Sequence, residues 1–115
     1  MSFESDNGGI EPPSAEYSWQ ARVLCAVKAL EDDEQPGTAT LIKEMVGAKF
    51  ASKFLAADRL YEGLRPSWEL RVDEATAALL AQKLLRRPRG RAATIAGGEK
   101  VVATTAAGRK QAEAA

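Results

Sequence analysis

Two short β-prone runs, RAATIA (91–96) and VVATT (101–105), flank a Gly97-Gly98 pair near the end of a chain patterned for helices almost everywhere else. Runs of this kind on either side of Gly-Gly predict a β-hairpin, because glycine supplies the positive φ that a tight turn demands. A hairpin attached to helices narrows the fold to a mostly α, α+β domain. The run leading into it is basic. Lys83, Arg86, Arg87, Arg89 and Arg91 fall within nine residues with no acid among them.

Before the hairpin, breakers divide the chain. Residues 1–15, MSFESDNGGIEPPSA, hold Ser, Gly, Pro and acids without an apolar period, which predicts a disordered acidic leader ahead of one domain over 16–115. From Tyr17 to Glu31 the apolar residues Val23, Leu24, Val27 and Leu30 recur at helical spacing, with Arg22 and Lys28 elsewhere on the wheel. Pro36 and Gly37 end that helix, and Thr38 or Thr40 can cap the next, whose apolar face is Leu41, Ile42, Met45 and Val46 and which Gly47 stops. A third helix is predicted from about Ala48 to 62. It places Phe50, Phe54 and Tyr61 on one side and Lys49, Ser52, Lys53 and Arg59 on the other. A fourth is predicted over 73–87, with Asp73 as N-cap, an apolar stripe of Ala77, Leu80, Ala81 and Leu84, and Lys83, Arg86 and Arg87 at its negative end. AAGRKQAEAA predicts a short C-terminal helix. The expected order is four helices, a hairpin and a short helix.

Charge and composition restrict the chemistry. Lysine plus arginine and aspartate plus glutamate are both 16, yet residues 1–35 carry a net −6 and residues 36–115 a net +6. That asymmetry points the basic part toward nucleic acid or an anionic surface. Histidine is absent and Cys25 is the single cysteine, so neither a Cys/His zinc site nor a Ser-His or Cys-His nucleophile can be assembled. Cys25 lies in the apolar run ARVLCAVKAL and reads as a small buried residue. Asp32 and Asp33 read as solvated loop acids. No phosphate-binding glycine motif is present. These readings favour a binding protein over an enzyme and imply no cofactor. The absence of a signal-like N-terminus and of a long apolar run leads to the expectation of a cytoplasmic, nucleoid-associated protein with no membrane partner.

Two stretches carry a resemblance. QARVLCAVKALEDDEQPGTATLIKEMVGAKFASKFLAADRLYEGLR (20–65) has the rhythm of an opening helix, an acidic loop, a positioning helix and a recognition helix ending in Glu-Gly-Leu. VVATTAAGRK (101–110) is similar to a final wing strand ending in Leu-Thr-x-x-Gly-Arg, here Thr104-Thr105-Ala106-Ala107-Gly108-Arg109. Over residues 17–112 the chain resembles winged helix-turn-helix proteins of the MarR/PadR kind, and its element order is similar to that of small plasmid-partition winged-helix proteins. It departs from the template at PSWELRVDEATAALLAQKLLRRPRG (66–90), which inserts a whole helix before the wing.

Two registers follow. In the first and preferred one, 48–62 is the recognition helix. In the second, 73–87 is. The resemblance implies sequence-specific double-stranded DNA binding by a homodimeric transcriptional regulator or a plasmid or phage segregation factor. The contacts would be Thr40, Lys49, Ser52, Lys53 and Arg59, with Arg86, Arg87, Arg89, Arg91 and Lys100 along the phosphates. The surface of 17–30 or the C-terminal helix would form the dimer contact. The alternative is a winged-helix protein-interaction module, using an exposed patch of Trp19, Phe50, Trp68 or Val101.

Overall fold

The computed structural model describes residues 18–88 and 100–114. Helix α1 (Trp19–Asp32) begins where the Ser18 side chain accepts the Ala21 N–H at 3.2 Å, a hydrogen bond that satisfies one of the donors every helix start leaves open. Val23, Leu24 and Val27 are fully buried and Leu30 nearly so. One face of α1 is therefore the centre of the core. It packs against α2 (Ala39–Phe50), α3 (Ser67–Ala81), α4 (Ala106–Ala114) and the strand β5 (Val101–Thr104). The helix ends at Asp33, and Glu34 turns the chain with φ +57°.

The short strand β1 (Gly37–Thr38) pairs antiparallel with β5, Gly37 opposite Val102. A Cβ at Gly37 would collide with the Val102 carbonyl, so glycine is required by this close approach. Thr38 then caps α2, its hydroxyl accepting the Leu41 N–H at 3.2 Å. Ile42 and Val46 are the buried residues of α2, and Val72, Ala75 and Leu79 are the main apolar contribution of α3. Lys83 takes a left-handed conformation (φ +62°) just past α3. The chain then enters β4 (Leu85–Arg86), antiparallel to β5 with Leu85 opposite Thr104. The three strands lie in the order β1-β5-β4.

Thr105 links this sheet to α4. Its hydroxyl accepts the Gly108 N–H at 3.0 Å and donates to the Lys83 carbonyl at 2.8 Å. Gly108 sits so close to the Leu84 carbonyl that no Cβ fits. On the other side of β5, Glu31 accepts the Thr104 N–H and hydroxyl at 2.7 and 2.6 Å and pairs with Arg109 at 2.9 Å. Arg109 also pairs with Asp32. Helix, strand and terminal helix are thus closed by one polar seam.

The described residues form four α-helices and a small antiparallel sheet, a mixed α+β fold with one fewer helix than the sequence pattern predicts. The helix expected over 48–62 does not form. α2 runs through Gly47 to Phe50. The chain then makes two 3₁₀ turns (Ala51–Lys53 and Ala56–Arg59) and a two-stranded ribbon, β2 (Tyr61–Glu62) and β3 (Arg65–Pro66), around Gly63 at φ +72°.

Local hydrogen bonds outcompete the helix here. The Asp58 carboxylate accepts the Leu55 N–H at 2.7 Å, and the Arg59 guanidinium donates to the Ala51 carbonyl at 2.6 Å. Phe54 is drawn inward between Trp19 and Trp68, with ring centroids 5.3 and 5.2 Å away.

α3 also starts six residues before the expected cap at Asp73. Pro66, which has no N–H to leave unsatisfied, stands at its N-cap. The helix is rotated relative to the predicted stripe: Ala77 and Ala81 are exposed, and Leu79 is buried. It stops at Ala81, so Arg86 lies in a strand and Arg87 beyond it, and neither serves a helix end. Strand β5 matches the predicted VVATT run, and α4 matches the predicted terminal helix. The other predicted hairpin strand, RAATIA, lies outside the described residues, as does the leader.

Candidate nucleic-acid interface

Five described cations are held in ion pairs, and several others, Lys49 and Lys110 among them, are not. Lys28, Lys43, Arg65, Arg71 and Arg109 are held in intramolecular ion pairs. Lys28 reaches Asp32 at 3.0 Å. Lys43 and Arg65 both reach Asp73, at 3.1 and 2.9 Å. Arg71 bridges Glu62 and Glu74, at 2.8 and 2.9 Å. The hydrogen bond to Glu62 and the charge of Glu74 raise the pKa of Arg71. Lys83, Arg86, Arg87 and Lys100 form no ion pair with a described residue, and all four are exposed.

Arg86, Arg87 and Lys100 flank the connection between β4 and β5, whereas Lys83 lies at the other end of β4, beside Thr105. Arg86 stands opposite Ala103 in the ladder. Arg87 and Lys100 line a single cleft of about 310 Å³, whose walls come from Gly37 in β1, Ala39 at the start of α2, Asp73, Thr76 and Ala77 on α3, and Val102. Antiparallel pairing is what brings Arg87 and Lys100 together, since the chain leaves the sheet near one and returns near the other. The predicted phosphate contacts Arg86, Arg87 and Lys100 are therefore placed at one end of the β4–β5 ladder. Arg89 and Arg91 lie outside the described residues.

The other predicted contacts are not gathered into one surface. Thr40, in the first turn of α2, lies with Lys43, Gly47, Trp68 and Glu69 along the α2–α3 groove. Lys49, in the last turn of α2, faces the opposite side and lines a depression with Cys25, Lys28 and Glu113. Ser52 and Lys53 are exposed on the first 3₁₀ turn. Arg59 is exposed yet engaged, stacking 5.7 Å from the Phe54 ring while bonded to Ala51. Without a helix over 48–62 these side chains share no recognition face, and the preferred register lacks its helix, while α3 is the helix that leads into β4. Asp73 and Glu74, in the middle of α3, are held in the pairs given above, and the acid of its first turn is Glu69.

The exposed aromatic patch expected for a protein-interaction module is also corrected. Trp19, Phe50 and Trp68 are partly buried and packed on the core, and Val101 is buried. Arg22, expected on the open side of α1, is 4% exposed. Its guanidinium sits 4.5 Å from the Trp19 ring centroid, 5.6 Å from Phe54 and 5.9 Å from Phe50. Burial lowers its pKa, with the charge of Asp58 opposing. The signal for this in the sequence is the spacing of Trp19 and Arg22 on one helix face, which reads equally as a solvated charge.

Cys25 is half-buried, its thiol 3.9 Å from the Ala112 carbonyl. Burial raises the thiol pKa, while the charges of Lys49 and Lys28 oppose. A raised pKa leaves the thiol protonated, the opposite of an activated nucleophile. Among the described residues no cluster of three or more Cys, Asp or Glu side chains is arranged to hold a metal ion. No helix among them is long and apolar enough to cross a membrane. No protein-family model, curated protein or solved structure matches the chain.

Proposed function

We propose that this domain binds double-stranded DNA in the manner of a winged helix-turn-helix protein, with α3 as the recognition helix and the β4–β5 connection as the wing. The observation that carries the proposal is the segregation of the cations. Lys28, Lys43, Arg65, Arg71 and Arg109 are spent on intramolecular pairs, whereas Arg86, Arg87 and Lys100 are left open around one connection; Lys49, Lys83 and Lys110 also lack an ion pair with a described residue. Open cations along a surface gain affinity by displacing counterions from a phosphate backbone. Apart from the 3₁₀ turns and β2–β3 ribbon between α2 and α3 and the terminal α4, the order is helix, strand, helix, helix, strand, strand, with the first strand beside the last, and it supports the same reading.

On this reading α3 brings short side chains, Ala77 and Ala81, toward the major groove. Gln82 follows at its end as a base-edge donor and acceptor. Phosphate contacts by Arg86, Arg87 and Lys100, continued by Arg89 and Arg91, supply most of the affinity. A role as a small transcriptional regulator or a segregation factor fits such an activity.

Fluorescence anisotropy with mixed-sequence duplex DNA at low salt tests the proposal. Binding that weakens steeply as salt rises is expected. No binding at the lowest salt at which the protein stays soluble would remove it.

A further inference from the structure

The segment between α2 and α3 spends many hydrogen bonds on a shape that hides little. It is braced by Asp58 to Leu55, Arg59 to Ala51, the Ser67 hydroxyl to the Ala57 carbonyl at 2.7 Å and the Ser67 N–H to the Leu60 carbonyl at 2.7 Å. Yet it presents Leu55, Leu60, Tyr61 and Leu64 at 70, 67, 69 and 95% exposure, all within ten residues. Single exposed apolar residues are ordinary, but four large ones on one braced segment are not.

We propose that this segment is an interface between two copies of this chain. Three observations favour a second copy over another occupant. The first is area. Four such side chains offer roughly 500 Å², near the upper end of what a monomer leaves open. Two copies closing on each other would bury about 1,000 Å², the level at which an interface becomes specific. The second is charge. Lys53, Asp58, Arg59 and Glu62 give the segment two charges of each sign, with Glu62 held by Arg71 and Asp58 and Arg59 held by the local backbone, so the patch has no single-sign charge that would repel its own copy across a two-fold axis. The third is an open edge. Among the described residues β2 pairs only with β3, and Pro66 withholds an N–H from β3. The outer edge of β2 therefore remains to pair with its symmetry mate.

The pairing surfaces suggested by the sequence are already used. The apolar face of α1 is the centre of the core. α4 turns Gly108 and Ala112 inward, against Leu84 and Cys25.

The inference is independent of the nucleic-acid reading and is tested without DNA. Sedimentation of the full chain is expected to show a reversible dimer, with a dissociation constant on the order of 10 µM. Tyr61→Glu/Leu64→Glu places like charges against themselves and is expected to raise that constant at least about tenfold, with unchanged circular dichroism and Tm. Leu64→Ala, which leaves every bracing bond in place, should weaken the dimer by a smaller factor. A wild type that stays monomeric overturns the proposal, and so does a dimer indifferent to both variants. A monomer whose 60–66 amides resist hydrogen exchange only while residues 1–17 are present would assign the patch to the chain's own leader, and also overturns it.

Discussion

The two sides of β5 use charge in opposite ways. On one side, Glu31 binds the Thr104 backbone and hydroxyl and pairs with Arg109, which pairs in turn with Asp32. Every charge there is consumed in closing α1, β5 and α4 together. On the other side, toward β4, Arg86, Arg87 and Lys100 form no ion pair with a described residue, and Asp73, which lines the cleft with Arg87 and Lys100, is held by Lys43 and Arg65. Counting charges along the chain does not separate these cases, because Arg109 and Arg87 are both basic residues next to the same short strand. What separates them is whether an acid on a neighbouring element has been brought opposite. Cations with such a partner act on stability, and cations without one are available to something outside the chain.

The comparison can be broken from the stability side first. Gly108→Ala forces a methyl group into the Leu84 carbonyl, where backbone meets backbone and nothing flexible can give. A loss of about 3 kcal/mol is expected in urea unfolding, and a near-neutral result would mean that α4 is not seated as described.

Next is Glu31→Ala. It strips a half-buried acceptor from the Thr104 N–H and hydroxyl and should cost about 2 kcal/mol. DNA affinity measured below the unfolding transition should not move.

A smaller effect is expected from Arg86→Ala/Arg87→Ala, with the reverse signature. Tm should stay put because exposed, unpaired side chains are removed, while affinity for duplex DNA falls about tenfold at moderate salt.

The smallest concerns acid. The hydrogen bonds from Lys28 and Arg109 hold the Asp32 carboxylate below its ordinary pKa. A carboxylate with a lowered folded pKa contributes stability that is present above the unfolded value, about 3.9, and is lost as pH falls through the folded one. Asp32→Asn should therefore narrow its deficit against wild type as pH drops below about 4. Because the group is solvent-exposed, the change should be slight. A deficit that widens in acid would reverse the assignment.

Much of the scaffold is legible in the sequence because local chemistry and tertiary packing agree there. The α1 stripe, the break at Pro36-Gly37, the cap at Thr38 and the VVAT strand each satisfy propensity and burial at once. The segment from 51 to 66 is not legible. Its wheel places aromatic residues on one side and cations on the other, as a helix would, but Phe54 is fixed by Trp19 and Trp68, residues 35 and 14 positions or so away in sequence. Once Phe54 turns inward, Asp58 and Arg59 satisfy the backbone locally, and Tyr61 and Leu64 are left outside. β4 is hidden for a different reason. Leu85-Arg86 is two residues long and follows a helical pattern without a break, and only its pairing with Ala103 and Thr104 makes it a strand. The candidate site follows this division. Arg86, Arg87 and Lys100 stand out as a basic cluster in sequence, whereas Lys49, Ser52, Lys53 and Arg59 depend on a helix that does not form.

The central claim is that the unpaired cations beside β4 and β5 meet a phosphate backbone. The most direct measurement is the salt dependence of duplex DNA binding for wild type, for Arg86→Ala/Arg87→Ala/Lys100→Ala and for Lys28→Ala, the last taken from the paired set. The triple variant is expected to lose about one unit of log–log slope per cation removed, roughly three in all, while Lys28→Ala keeps the wild-type slope. Equal slopes for all three proteins, or a loss shared by Lys28→Ala, would contradict the claim.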